Sequence, residues 1–126
     1  MTAALATPPG KNGDIAYRGY LDANRTTGAI FTIRPDGTGV RQVTRPPRRV
    51  IDQFPDWSPD GRTIAFHRMV PCNPNRPRNG LDGTCDLVYT VRADGTGMKP
   101  LVPCAFDASR PYPESCVGAH TPAWSS

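Results

Sequence analysis

Short apolar runs rich in β-branched and aromatic residues, broken at close intervals by Gly, Pro and Asp, dominate this chain. Ile15-Ala16-Tyr17, Ala29–Arg34 and Val40–Thr44 read as strands on that signal. So do Phe54–Ser58, Arg62–Arg68, Cys85–Val91, Met98–Val102 and Thr121–Ser125. Pro35-Asp36-Gly37-Thr38-Gly39 and Ala93-Asp94-Gly95-Thr96-Gly97 predict tight hairpins, because glycine reaches positive φ without a Cβ clash. Pro59-Asp60-Gly61 predicts a third turn. Nowhere does the apolar spacing sustain a helical period, so the expected class is all-β.

The pattern also repeats. Ile30-Phe31-Thr32-Ile33-Arg34-Pro35-Asp36-Gly37-Thr38-Gly39 returns as Val88-Tyr89-Thr90-Val91-Arg92-Ala93-Asp94-Gly95-Thr96-Gly97. Asp14-Ile15-Ala16-Tyr17 returns as Thr63-Ile64-Ala65-Phe66, and Phe54-Pro55-Asp56-Trp57-Ser58 as Thr121-Pro122-Ala123-Trp124-Ser125. Three similar pieces in one order indicate a single supersecondary unit used twice, and repeats of about 40–50 residues built from short strands signal a propeller.

Pro55-Asp56-Trp57-Ser58-Pro59-Asp60-Gly61 with Ile64-Ala65-Phe66, the two Asp-Gly-Thr-Gly turns and Val43-Thr44 resemble the blade repeat of TolB-type β-propellers. The similarity covers nearly the whole chain outside two loops. It implies four-stranded antiparallel blades, A innermost to D outermost, with the Trp-Ser segment as A and the Ile-Ala-Phe segment as B. After an N-terminal tail, residues 1–12, the order over 13–126 is then B-C-D, A-B-C-D, A, which is two blades' worth of strands. The resemblance further implies a role in the cell envelope, binding partner proteins. It carries over no partner-contact residues, because the match lies in the fold-defining repeat.

Two blades cannot close a ring, since propellers have roughly 4–8. Apolar blade faces and an unpaired strand edge would meet water, and closed cyclic symmetry removes both. The expectation is a homo-oligomer, with a six-bladed trimer favoured. In it Thr121–Ser125, with Pro122 and Trp124, pairs beside Ile15–Arg18, with Ile15 and Tyr17, of the next copy. The alternative is a two-blade piece of a longer chain.

Repeat spacing also places the cysteines. Ile15 and Ile64 are 49 positions apart, Ile30 and Val88 58, and Trp57 and Trp124 67. The second B–C and D–A loops are therefore each nine residues longer than the first, within 69–85 and 103–120. One holds Cys72 and Cys85, the other Cys104 and Cys116. Local pairing, the favoured disulfide arrangement, closes two rings of about a dozen residues, each worth roughly 3 kcal/mol. Crossed pairing remains open, because both loops emerge on one face. Neither gap has the short Cys-x₂₋₄-Cys spacing of a zinc site, so no metal is expected.

Four cysteines in a small loop-rich chain favour an oxidising compartment. With the bacterial resemblance, this gives a periplasmic or secreted location, for a mature segment whose leader lies outside this chain. The 15 Pro and 12 Gly among 126 residues sit at turns rather than in tracts, as ordered all-β structure requires. No apolar run approaches the roughly 20 residues of a membrane span.

Catalysis has little support, and no cofactor is expected. His67 and His120 read as rim residues, and Ser125, His120 and Asp107 come without a nucleophile elbow. Asp36, Asp60 and Asp94 lack an EF-hand pattern; each precedes a glycine, where a turn carboxylate belongs. Trp57 and Trp124 read as packing between blades, and the Asn24-Arg25-Thr26 sequon as a chance match. The arginines are more informative. Arg41, Arg45, Arg48 and Arg49 lie around the first D–A loop, Arg76 and Arg78 in the second B–C insertion, and Arg110 in the second D–A insertion. With a net charge of +4, they form a candidate rim for an acidic protein or an anionic glycan. Tyr112 is the main aromatic there, too little base-stacking surface for nucleic acid. The expected function is a non-enzymatic scaffold or protein-interaction module. The alternatives are the propeller portion of a prolyl-oligopeptidase-like hydrolase and an engineered propeller fragment without activity.

Overall fold

A computed structural model describes residues 13–71, 84–101 and 122–125. Seven strands run through them: β1 (Ile15–Tyr20), β2 (Gly28–Ile33), β3 (Arg41–Gln42), β4 (Ile51–Trp57), β5 (Thr63–Pro71), β6 (Thr84–Arg92) and β7 (Lys99–Pro100). There is no helix among the described residues. β1-β2-β3 and β4-β5-β6-β7 are antiparallel meanders. A single parallel bridge, Gly28 opposite Ile51, joins β2 to β4 and makes one mixed sheet, neither closed nor curled. The chain is all-β, but the two strand groups share this sheet instead of standing apart as the expected pair of blades.

The two meanders repeat each other in register. Ile15 faces Ile33 and Tyr17 faces Phe31 in the first, as Ile64 faces Val91 and Phe66 faces Tyr89 in the second. Gln42 opposite Phe31 matches Pro100 opposite Tyr89. Even the stacked rings recur, with centroids 5.7 Å apart for Tyr17–Phe31 and 5.9 Å for Phe66–Tyr89.

Local chemistry sets the turns. In the first, Arg34 N–H donates to Thr38 O and Gly37 N–H to Arg34 O, both at 2.9 Å; Arg92, Thr96 and Gly95 repeat the pattern at 2.9 and 2.8 Å. Asp36 Oδ1 accepts from Thr38 N–H and Oγ1–H, and Asp94 Oδ1 from the same groups of Thr96. Gly37 and Gly95 have φ of 86° and 88°, which a Cβ would penalise.

Every strand differs from its expected bounds by one to three residues at one end or both, and for two the cause is visible. β3 is shorter than Val40–Thr44 because Thr44 Oγ1 accepts the Ile30 N–H that a ladder carbonyl would take. β4 starts earlier than Phe54 and is bulged, with Phe54 and Pro55 opposite Phe66 alone. Pro55 has no N–H to give the ladder, so a bulge accommodates it, and Phe54 takes a φ of 52°.

The core lies between the two meanders. Ile30 and Val43 of the first meet Ile64, Phe66 and Val91 of the second, with Ala16, Trp57 and Tyr89 against them. Each large side chain fully buried there contributes about 1.5–3 kcal/mol. Beside it Arg68 donates to the fully buried Asp52 through Nε at 2.6 Å and Nη2 at 2.9 Å. The guanidinium lies 4.9 Å from the Tyr89 ring, an added cation–π attraction.

Candidate functional site

Among the described residues, unmet bonding capacity lies at the edges of this arrangement. β1 pairs only with β2, so its other edge is unpaired among the described residues. Ile15 at its start is 52% exposed, while Tyr17 is half-buried on Phe31. At the far end of the sheet, Leu101 follows β7, donates its N–H to Val88 O at 2.9 Å, and is also 52% exposed.

Residues 122–125 form no strand of their own. One of them reaches β4: Trp124 N–H donates to Asp56 Oδ2 at 2.9 Å and its indole Nε1–H to Asp56 O at 3.0 Å. Pro122 is half-buried and Trp124 exposed. The strand expected at Thr121–Ser125 is therefore not formed over its described residues, 122–125, which pair with no strand edge. Trp57 stands at the repeat-equivalent position of Trp124. Its Nε1–H is buried and has no acceptor among the described residues. That orphan donor has no signature in the sequence beyond the repeat itself.

Of the seven arginines expected at the rim, the four among the described residues lie at two places. Arg41 sits opposite Thr32 at the turn end of β3, where its charge helps hold the Asp94 carboxyl low. Arg45, Arg48 and Arg49 are exposed on the connection to β4, and Arg49 N–H donates to Thr27 Oγ1 at 3.0 Å. Arg76, Arg78 and Arg110 fall outside the described residues, as do Cys72, Cys104, Cys116 and the side chain of Cys85. Strand pairing puts the Cys85 backbone opposite Val70.

The turn carboxylates are held by their own loops. The Thr38 hydroxyl first, then its N–H, lowers the Asp36 carboxyl below the ordinary value, and Thr96 does the same for Asp94. The Ser58 hydroxyl and Arg62 N–H lower Asp60. In the loop after β1, the Thr26 hydroxyl and the Thr27 N–H lower Asp22. These acceptors are thereby engaged by nearby donors. His67, buried in β5, has Nε2 2.9 Å from Asp86 Oδ1 and stacks on Phe54 at 5.9 Å. His120 and Asp107 lie outside the described residues.

No family model, no curated protein and no solved structure matches the chain. Among the described residues the chain presents an open β1 edge, exposed apolar side chains at Ile15 and Leu101, and the buried indole donor of Trp57.

Proposed function

We propose that the chain is a non-enzymatic β-propeller scaffold, a protein-interaction module of the periplasm or secreted space, related in kind to TolB-type propellers. Each meander is one blade. The second has its four strands, β4 to β7, while the first has β1 to β3 and takes its innermost strand from residues 121–125 of another copy. Transferring the β4–β5 register puts Trp124 opposite Ile15, and Ala123 opposite Ala16, of that neighbour. Three copies close six blades. The arginine-bearing loops then recur around the ring and present positive charge to an acidic protein or an anionic glycan.

The observation that supports this reading most directly is the repetition of register, ring pair and turn between two meanders, one of which has a strand fewer. Solution mass by light scattering tests it. About three times the 13.7 kDa chain mass is expected. A monomer at high concentration would refute the self-assembling part.

A further inference from the structure

Resting on that self-assembling reading, we propose that the two ends of the chain are halves of one head-to-tail interface. A second copy fills it, and its Ala123 carbonyl accepts the Trp57 indole proton.

The geometry within one chain names the contact. Trp124 gives its indole N–H to the carbonyl of Asp56, the residue before the preceding repeat tryptophan. Trp57 is the equivalent tryptophan one repeat earlier, and the residue before Trp124, equivalent to Asp56, is Ala123. Within its own chain Trp57 Nε1 is buried with no acceptor among the described residues. Leaving such a donor unmet is unfavourable, because the indole loses water and gains nothing. Moving on by one repeat supplies the missing carbonyl.

The apolar faces follow the same operation. Ile30 and Val43 pack against Ile64, Phe66 and Val91 inside the chain. Their equivalents are Val88 and Leu101 at one end, and Ile15, Tyr17 and Ile33 at the other. Ile64 is fully buried where Ile15 is 52% exposed; Val43 is 6% exposed where Leu101 is 52%. The turns agree. A Cβ on Gly95 would lie 2.9 Å from Val43 O, so the first meander's backbone touches the second's turn. Gly37, its equivalent, has open space around that position, room for the Leu101 carbonyl of a second copy. Indole, faces and turn all require one displacement. Such a contact joins unlike surfaces, so it propagates from copy to copy and ends only by closing a ring.

Blocking one end at a time tests this. Ile15→Arg and Leu101→Arg each place a charge on an exposed position, so both chains fold. Each variant alone is expected to be monomeric by light scattering. A one-to-one mixture is expected to give a dimer and nothing larger, because each partner keeps one working end. Trp57→Phe keeps an aromatic ring but removes the donor. Because Trp57 also packs against the core, it is expected to lower the unfolding midpoint of the separate chain modestly, and to weaken assembly about tenfold per contact. A monomeric parent chain would remove both this interface and the self-assembling reading. Assembly that survives both arginine substitutions in one molecule would remove this interface alone. A dimer of either variant by itself, a self-complementary contact, would also overturn it. Unchanged affinity of Trp57→Phe would overturn the indole assignment.

Discussion

The two meanders are alike in backbone and unlike in surroundings. Register, ring pair and Asp-Gly-Thr turn recur, yet Ile64 lies in the core while Ile15 faces solvent. Arg68 of the second meander pairs with buried Asp52; Gly19 stands in its place in the first, where a Cβ would lie 2.8 Å from the Phe31 ring. Asp52 belongs to β4, which has no counterpart in the first meander among the described residues. Burial and polar pairing thus follow the neighbouring strand or face. Repeated sequence fixes the unit, and position in the array decides what each residue is worth.

The largest expected effect comes from truncating the buried member of an equivalent pair. Ile64→Ala should cost about 2–5 kcal/mol in urea unfolding, because it opens a cavity between the meanders. Ile15→Ala should cost less than about 1 kcal/mol in the separate chain, where no comparable packing is lost. The comparison sharpens if the chain assembles, since Ile15 should then become costly at high protein concentration. Equal costs in the monomer would mean that the first meander's face is covered after all.

A smaller contrast is expected at the turns. Gly37→Ala should cost about 1–2 kcal/mol for holding an L residue at positive φ. Gly95→Ala carries the same penalty and also drives a methyl into Val43 O, for about 1–3 kcal/mol more. Thermal unfolding of the two variants checks the order. If Gly37→Ala proved as costly, the open space beside that turn would be filled in solution.

The smallest effect is electrostatic. The carboxyls of Asp22, Asp36, Asp60 and Asp94 sit below the ordinary 3.8 in the fold. Their stabilisation is therefore fully present above that value and is lost as pH falls through the depressed folded values. A modest fall in unfolding midpoint is expected below pH 3.8, with none from these groups between pH 5 and 7. The repeat comparison adds a finer measurement. Arg92 acts on Asp94 as its equivalent Arg34 acts on Asp36, and Arg41 adds to Asp94 alone, so Arg41→Ala should raise the Asp94 carboxyl slightly and leave Asp36 unmoved in an NMR titration.

Part of this was legible in the sequence: the repeat places Ile15 and Tyr17 on a strand and matches Trp124 to Trp57, but the strand expected at Thr121–Ser125 is not formed over 122–125. The partners of those residues were not legible. Leu101 and Val88 matter only because their equivalents Val43 and Ile30 are buried, and the vacant indole donor of Trp57 depends on where one carbonyl lies.

By itself the sequence determined where seven of the eight expected strands lie, the turn chemistry and the doubling of the unit. These rest on interactions between residues a few positions apart: alternation of apolar side chains, aspartate bonding its own turn, glycine at positive φ. Tertiary structure alone decided the parallel bridge at Gly28 and Ile51, the bidentate pairing of Arg68 with Asp52, and which copy of each repeated residue is dry. Those outcomes depend on distant surfaces meeting, and two segments with the same apolar pattern carry little local mark of which will be covered.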